Sequence, residues 1–288
     1  MADLKVVKTR IESVKKTRQI TRAMKLVAGA KLRRATEAAV SARPYKNKIS
    51  DVLKSVATKA GDSVSDPLLE RRHTVKRILV VVLTSDRGLC GGFNGILLRR
   101  TMDFLNARKA EGVEVDLFGY GRKGCDFLVN RGYTLTQRHV DVGGREKLPF
   151  VLPLTNALIA GFLDGTWDEV YVAYNEFVNA ITQKPTFRAV LPLAVEAGED
   201  TGASVDFKYE PEPKALLGAL LPLYLRTLVL QSFLETEAGE HAARMTAMDN
   251  ATRNAGDLID RLTLEYNRAR QAAITKEIIE IVSGAQAL

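Results

Sequence analysis

The chain has 288 residues, 46% of them apolar and 26% charged, with a formal net charge of +8. That length holds one large domain or two smaller ones, and the apolar share is ordinary for a globular protein. Two cysteines, Cys90 and Cys125, exclude a disulfide framework and point to a reducing compartment.

Residues 4–58 read as one long helix. Val7, Ile11, Val14, Thr21, Met24, Ala28, Leu32, Ala35 and Ala39 recur at threes, fours and sevens. This register begins directly after Met1 to Lys5, which argues against a secretory signal or a transit peptide. Pro44 is expected to weaken or bend the helix. The same segment carries the charge: residues 1–59 hold 16 Lys/Arg against four acids, a net +12, so the remaining 229 residues sum to −4. Such a face implies an acidic partner surface, nucleic acid or membrane headgroups. Gly61 to Ser63 and Asp66-Pro67 then mark a loop.

Residues 75–195 change period. Ile78 to Leu83 is a short β-branched run, as expected of a buried parallel strand. A Gly-rich turn, Gly88 to Gly92, leads to a helical pattern from Asn94 to Ala110. A second strand spans Val113 to Gly119, a helix Lys123 to Arg131, and a third strand Tyr133 to Val140. Phe150 to Leu163 looks helical; Glu169 to Asn175 and Phe187 to Leu193 look like strands. This alternation predicts a small α/β domain with a mainly parallel sheet. Residues 196–210 read as linker, and Pro211 and Pro213 stand just before a second long helix from about Lys214.

Ala215 to Leu234 is twenty residues with one charge, Arg226, and is long enough to cross a bilayer. Pro222 and Gln231 interrupt it, and a central Arg costs about 2.5–3.5 kcal/mol on insertion scales. It reads as a helix buried in protein, with a bend or break at Pro222. Further on, Met248, Thr252, Ala255, Ile259, Leu262, Tyr266, Ala269 and Ala273 alternate spacings of four and three. That heptad seam predicts a left-handed supercoil with the first helix, an antiparallel stalk with the α/β domain inserted between its arms. The last eight residues, Ile281 to Leu288, carry no charge. A terminus is normally polar, so this one is read as a tail buried inside a partner. Just before it, Arg270 shares a helix face with Ile274, and Gln271 with Thr275.

Ser85 to Asn94 follows a strand and opens a helix, where doubly wound folds bind phosphates. It lacks the GxGxxG pattern and any Walker lysine, so it reads as a tight strand-to-helix turn. Cys90 has no evident pairing with His73, His139 or His241, and no metal-ligand spacing is present in the sequence. The basic first helix has only Tyr45 among aromatics up to residue 59, which weakens a nucleic-acid reading.

Four blocks carry a resemblance: Ile11 through Ala35, Ser85 to Asn94, Ala242 to Ala251, and Tyr266 to the terminus, with Ile274, Thr275, Glu277, Glu280, Gly284 and Ala285 in the last. In order and spacing they resemble the gamma subunit of rotary F-type ATP synthases of the bacterial kind. The resemblance implies an α/β fold, a long antiparallel coiled coil of N- and C-terminal helices with an inserted Rossmann-like domain. It divides the chain at 1–60, 75–195 and 211–288. It also implies a non-catalytic rotor shaft without cofactor or metal, coupling proton flow through the membrane ring to ATP synthesis or hydrolysis in the catalytic head. The implied partners are the alpha and beta subunits, the epsilon subunit and the c-subunit ring, with one copy per complex and no nucleic acid. The implied place is the cytoplasmic face of the cell membrane, as a peripheral protein. Carried over residue by residue, Met24 and Lys25 match positions facing an acidic lever loop of beta. Arg270 and Gln271 match the pair that hydrogen-bonds its catch loop, and Arg244, Thr275 and Glu277 match further coupling positions. Ile281, Val282, Ala285 and Leu288 match the tip in an apolar bearing. Two other readings stand beside this one: a basic coiled-coil adaptor that binds nucleic acid, and a nucleotide-dependent enzyme using the Gly-rich turn.

Overall fold

The structure is a computed structural model that describes residues 2–60, 66–194 and 213–286. In chain order its elements are α1 (Ala2–Ala60), β1 (Arg77–Leu83), α2 (Phe93–Ala110), β2 (Glu114–Tyr120), α3 (Arg122–Val129), β3 (Gln137–His139), α4 (Leu148–Leu163), β4 (Glu169–Phe177), β5 (Gln183–Leu191) and α5 (Pro213–Gln286). The chain forms two compact units: residues 1–29 with 244–288, and residues 30–243.

The larger unit is a five-stranded sheet of order β3-β2-β1-β4-β5, parallel except for β5. β1 lies at its centre and explains the architecture. Its side chains alternate between two apolar clusters, Leu79, Val81 and Leu83 on one face and Ile78, Val80 and Val82 on the other. All six are at most 1% exposed. A strand buried on both faces reads as a continuous apolar run, because helices cover each side. Leu97, Leu98 and Leu105 of α2 and Leu128 of α3 cover one face. Ile49, Leu53 and Val56 of α1, Leu154 and Leu158 of α4, and Leu217 to Phe233 of α5 cover the other.

The apolar stretch of α5 is therefore core. The Leu216–Ser283 segment is long and apolar enough to cross a membrane, yet Leu217, Leu221, Leu225 and Val229 are at most 2% exposed inside this unit. The expected break at Pro222 does not occur, and the helix runs through it. Fully buried Leu221 and Leu225 flank the proline, and their packing offsets a helix-interior cost of about 3 kcal/mol. α1 likewise continues through Pro44.

Two strand expectations need correction. The third strand is three residues, not eight, because β2 ends at Tyr120 and β3 pairs only with Phe118 to Tyr120. β5 begins four residues earlier than expected and forms an antiparallel hairpin with β4. Its turn is set by Asn179, whose Oδ1 accepts hydrogen bonds from the amides of Ile181 (2.9 Å) and Thr182 (2.8 Å). Pro185 is tolerated there because β5 is an edge strand. The Gly61 to Ser63 loop and the 196–210 linker lie outside the described residues.

In the smaller unit, α1 and α5 pair antiparallel. Ile11, Ile259 and Leu262 are buried together, with Val7, Val14, Leu258 and Tyr266 against them. Further along the seam the contacts become polar and small. Thr252 Oγ1 lies 2.9 Å from Thr21 Oγ1, Lys25 Nζ lies 2.6 Å from Asp249 Oδ1, and Gly29 faces Met245. The seam predicted from Met248 to Tyr266 is the one that packs; Ala269 is exposed and Ala273 half-buried.

Candidate functional site

The Gly-rich turn folds as a closed strand-to-helix connection. Asn94 Oδ1 accepts from the Ser85 amide (3.0 Å), Asn94 Nδ2 donates to Ser85 Oγ (2.7 Å), and Ser85 Oγ donates to the Arg87 carbonyl (2.7 Å). Cys90 is buried under them, with Asn94 Nδ2 3.4 Å from its Sγ. Asp86 ties the turn to α3 and to the loop after β3. Its carboxylate accepts from the amides of Arg122 (2.9 Å), Asp141 (2.8 Å) and Gly143 (2.9 Å), the first of these at the start of α3. Burial alone would raise the Asp86 carboxyl, but these amides outweigh it and hold it below its ordinary value. Gly121 (φ 97°) permits the approach, since a Cβ there would overlap the Thr84 carbonyl. The amides at the start of α3 and in the loop after β3 are thus bound by the chain's own carboxylate.

Much of the exposed apolar surface among the described residues is on the long helices. Beyond Tyr266, α5 makes no apolar cluster among the described residues, yet it carries Ile274 (47% exposed), Ile278 (55%), Ile279 (59%), Ile281 (71%) and Val282 (51%). On α1, Ile20, Leu26 and Val27 are also more than half exposed. Apolar side chains concentrated in this way mark an interaction surface. Arg270, Gln271, Thr275 and Glu277 stand exposed among those of α5, with the Thr275 hydroxyl donating to the Gln271 carbonyl at 2.9 Å. Such a surface offers contacts to a partner.

The comparisons agree along the whole length. The model of a family described as ATP synthase matches residues 3–288. The chain is 48% identical to the ATP synthase gamma chain of Geobacter sp. (strain M21) over 288 residues, covering all of this chain and 99% of that one. It belongs to the ATP synthase gamma-chain family. A second relative, the ATP synthase gamma chain of Pelotomaculum thermopropionicum, is 46% identical with full coverage of both chains. Among solved structures, a chain of the Tetrahymena thermophila mitochondrial ATP synthase central stalk and c-ring is 27% identical with a TM-score of 0.61, covering 81% of this chain and 99% of that one. A chain of the Euglena gracilis mitochondrial ATP synthase (OSCP/F1/c-ring, rotational state 3) shares the fold with a TM-score of 0.69 at 20% identity, covering 99% and 94%. As a gamma chain the protein is a non-catalytic subunit of the central stalk. The comparisons lend no support to the nucleic-acid adaptor.

The predicted positions fall in different places. Arg270, Gln271, Thr275, Glu277, Ile281 and Val282 lie together on the exposed end of α5. Met24 and Lys25 are half-buried on α1, and Lys25 is already paired with Asp249. A hydrogen bond from Lys25 and its charge hold the Asp249 carboxyl below its ordinary value. Arg244 is buried, 9% exposed, and engaged within the chain. Leu288 and the side chain of Ala285 lie outside the described residues. Sequence reasoning missed Asp249. The signal was a basic residue, Lys25, falling on the α1 seam between Thr21 and Ala28, which calls for an acid opposite.

Proposed function

We propose that the paired helices turn inside a ring of alternating alpha and beta subunits, and that the α/β domain couples them to the membrane c-ring. The three working parts are residues 1–60, 75–195 and 211–288. Epsilon binds alongside, one copy of this chain serves each complex, and the assembly lies on the cytoplasmic face of the cell membrane. The observation that carries this reading is the exposed end of α5, where five large apolar side chains, Ile274 to Val282, have no partner cluster among the described residues.

The chemistry of that end suits a rotor. Apolar contacts are non-directional and leave a turning tip free, whereas a buried salt bridge would hold one angle. Ile281, Val282, Ala285 and Leu288 form this bearing tip. Arg270 and Gln271 hydrogen-bond the catch loop of beta, with Thr275 and Glu277 on the same helix as further contacts. Met24 and Lys25 face the acidic lever loop, and Arg244 shapes the surface from beneath. By touching each beta subunit differently at each angle, the shaft sets the copies of one subunit in different conformations.

The test is native purification of the tagged chain from its own cells, with mass identification of partners and an ATPase assay. A membrane-attached ATPase containing alpha and beta is the expected result. A lone chain, or one bound to nucleic acid, would refute the reading.

A further inference from the structure

In open α/β folds, ligands bind in the crevice beyond the C-terminal ends of the parallel strands. Here that crevice has little room. The cavity lined by Thr84, Tyr120, Val142, Lys147, Phe233 and Glu237, among others, is about 20 Å³, space for one water. The chain's own helix α5 fills the rest. Phe233 meets the Tyr120 ring edge-on at 5.2 Å. One turn later Glu237 enters with a charge. Its Oε2 lies 2.8 Å from Lys147 Nζ, its Oε1 accepts from the Gly144 amide at 3.1 Å, and His241 Nε2 lies 3.8 Å from Oε1. Lys147 also donates to the Val142 carbonyl at 2.9 Å, and its side chain is only 5% exposed.

This pair is poorly explained by stability. Burying two charges costs several kcal/mol per ion, and apolar residues of similar volume often hold a fold equally well or better. An ion pair adds direction. Leu217, Leu221, Leu225 and Val229 of α5 make apolar contacts in this unit, which resist rotation and sliding less specifically; Arg226 and Gln231 add longer hydrogen bonds, to Asn156 Oδ1 at 3.3 Å and the Ala39 carbonyl at 3.5 Å. Glu237 meets Lys147 and the Gly144 amide together at one rotation and one height of α5. Moreover, α1 and α5 are the two segments by which the chain passes from this unit to the other.

We propose that Lys147 and Glu237 are positioning residues, a pinned joint in the crevice where related folds hold a ligand, which fixes the angle of α5 against the sheet so that torque on the α/β domain enters the shaft without slip. This rests on the rotor reading above. The experiment uses the intact ATP synthase in membrane vesicles, with the double variant Lys147→Met/Glu237→Met and the single variant Glu237→Gln. ATP hydrolysis, proton uptake per ATP and the thermal midpoint of the complex are measured. The double variant should match or exceed the native midpoint, while uptake per ATP falls about two-fold or more, because packing is kept and direction is lost. Unchanged uptake per ATP in the double variant would overturn the proposal. So would an uptake loss that follows the thermal midpoint across both variants, or failure of both to join the complex, since the pair would then serve folding and not position. Native vesicles that do not pump would instead refute the rotor reading.

Discussion

Replacing Ile259 by alanine tests how the helix pair is held. Ile259 is 7% exposed in the small cluster it forms with Ile11 and Leu262. Beyond that cluster the seam passes to Thr21 with Thr252 and Lys25 with Asp249, contacts that bury little apolar area. Truncating a buried isoleucine to alanine costs about 2–5 kcal/mol, and the low end, about 2–3, applies where a small cluster can close around the gap. At roughly tenfold per 1.4 kcal/mol, local separation of α1 from α5 becomes about 30- to 100-fold more frequent. A single helix without a packed partner is marginal in water, so the released part of α1 exchanges its amide hydrogens. The assay is hydrogen exchange of the α1 amides over residues 5–16, read against those of Ile78 to Leu83. The α1 amides should speed up by about 30- to 100-fold. The β1 amides should not change, because their clusters share no residue with that of Ile259. An equal rise in both segments, or none in α1, would refute the reasoning.

If Met24 faces the lever loop as proposed, Met24→Lys should impair coupling more than folding, because it would add a charge at a sliding contact. ATPase rate and proton pumping in the reconstituted enzyme decide it, and equal loss of both, or of neither, would count against it. Glu237 makes stability depend on acid. Burial would raise its carboxyl, but His241 and Lys147 outweigh this and hold it at about 2, below the ordinary 4.5. A depressed carboxyl contributes stability that is present above the unfolded value and lost as pH falls, here from about 5 to about 2, by about 3 kcal/mol at most. Unfolding measured across that range should show a steeper acid loss in the native chain than in Glu237→Gln. Gly161→Ala should destabilise by about 2 kcal/mol or more, because its Cβ would overlap the ring of Trp167, which is itself 7% exposed. Denaturant unfolding checks it, and a change under about 0.5 kcal/mol would refute the overlap.

What was legible in the chain followed from periodicity. The run Ile78 to Leu83 announced a strand buried on both faces because its neighbours are helices on both sides. The seam from Met248 to Tyr266 announced a helix pair because its spacing fits no sheet. The antiparallel β5 was less legible, since Asn179 sets its turn through two side-chain hydrogen bonds rather than through glycine. Pro222 misled because local propensity is a weak prior inside a core that encloses the neighbouring turns.

The partner surface and the internal joint differ in how sequence can reveal them. Ile281 to Leu288 stood out because eight uncharged residues contradict the expectation for a solvated tail, and one segment suffices to show the conflict. Lys147 and Glu237 are ninety residues apart, and each alone is an ordinary surface residue type. Only the fold brings the loop after β3 to α5 and turns two ordinary charges into one buried pair. The same holds for Asp86, whose three amide donors come from residues 36 to 57 positions away. On the two proposals made above, the groups that face partners are local in sequence, whereas those that set the angle between helix and sheet are not. Mutations at the first kind should therefore alter binding and coupling at the interface, and mutations at the second should alter coupling from within while every partner contact remains.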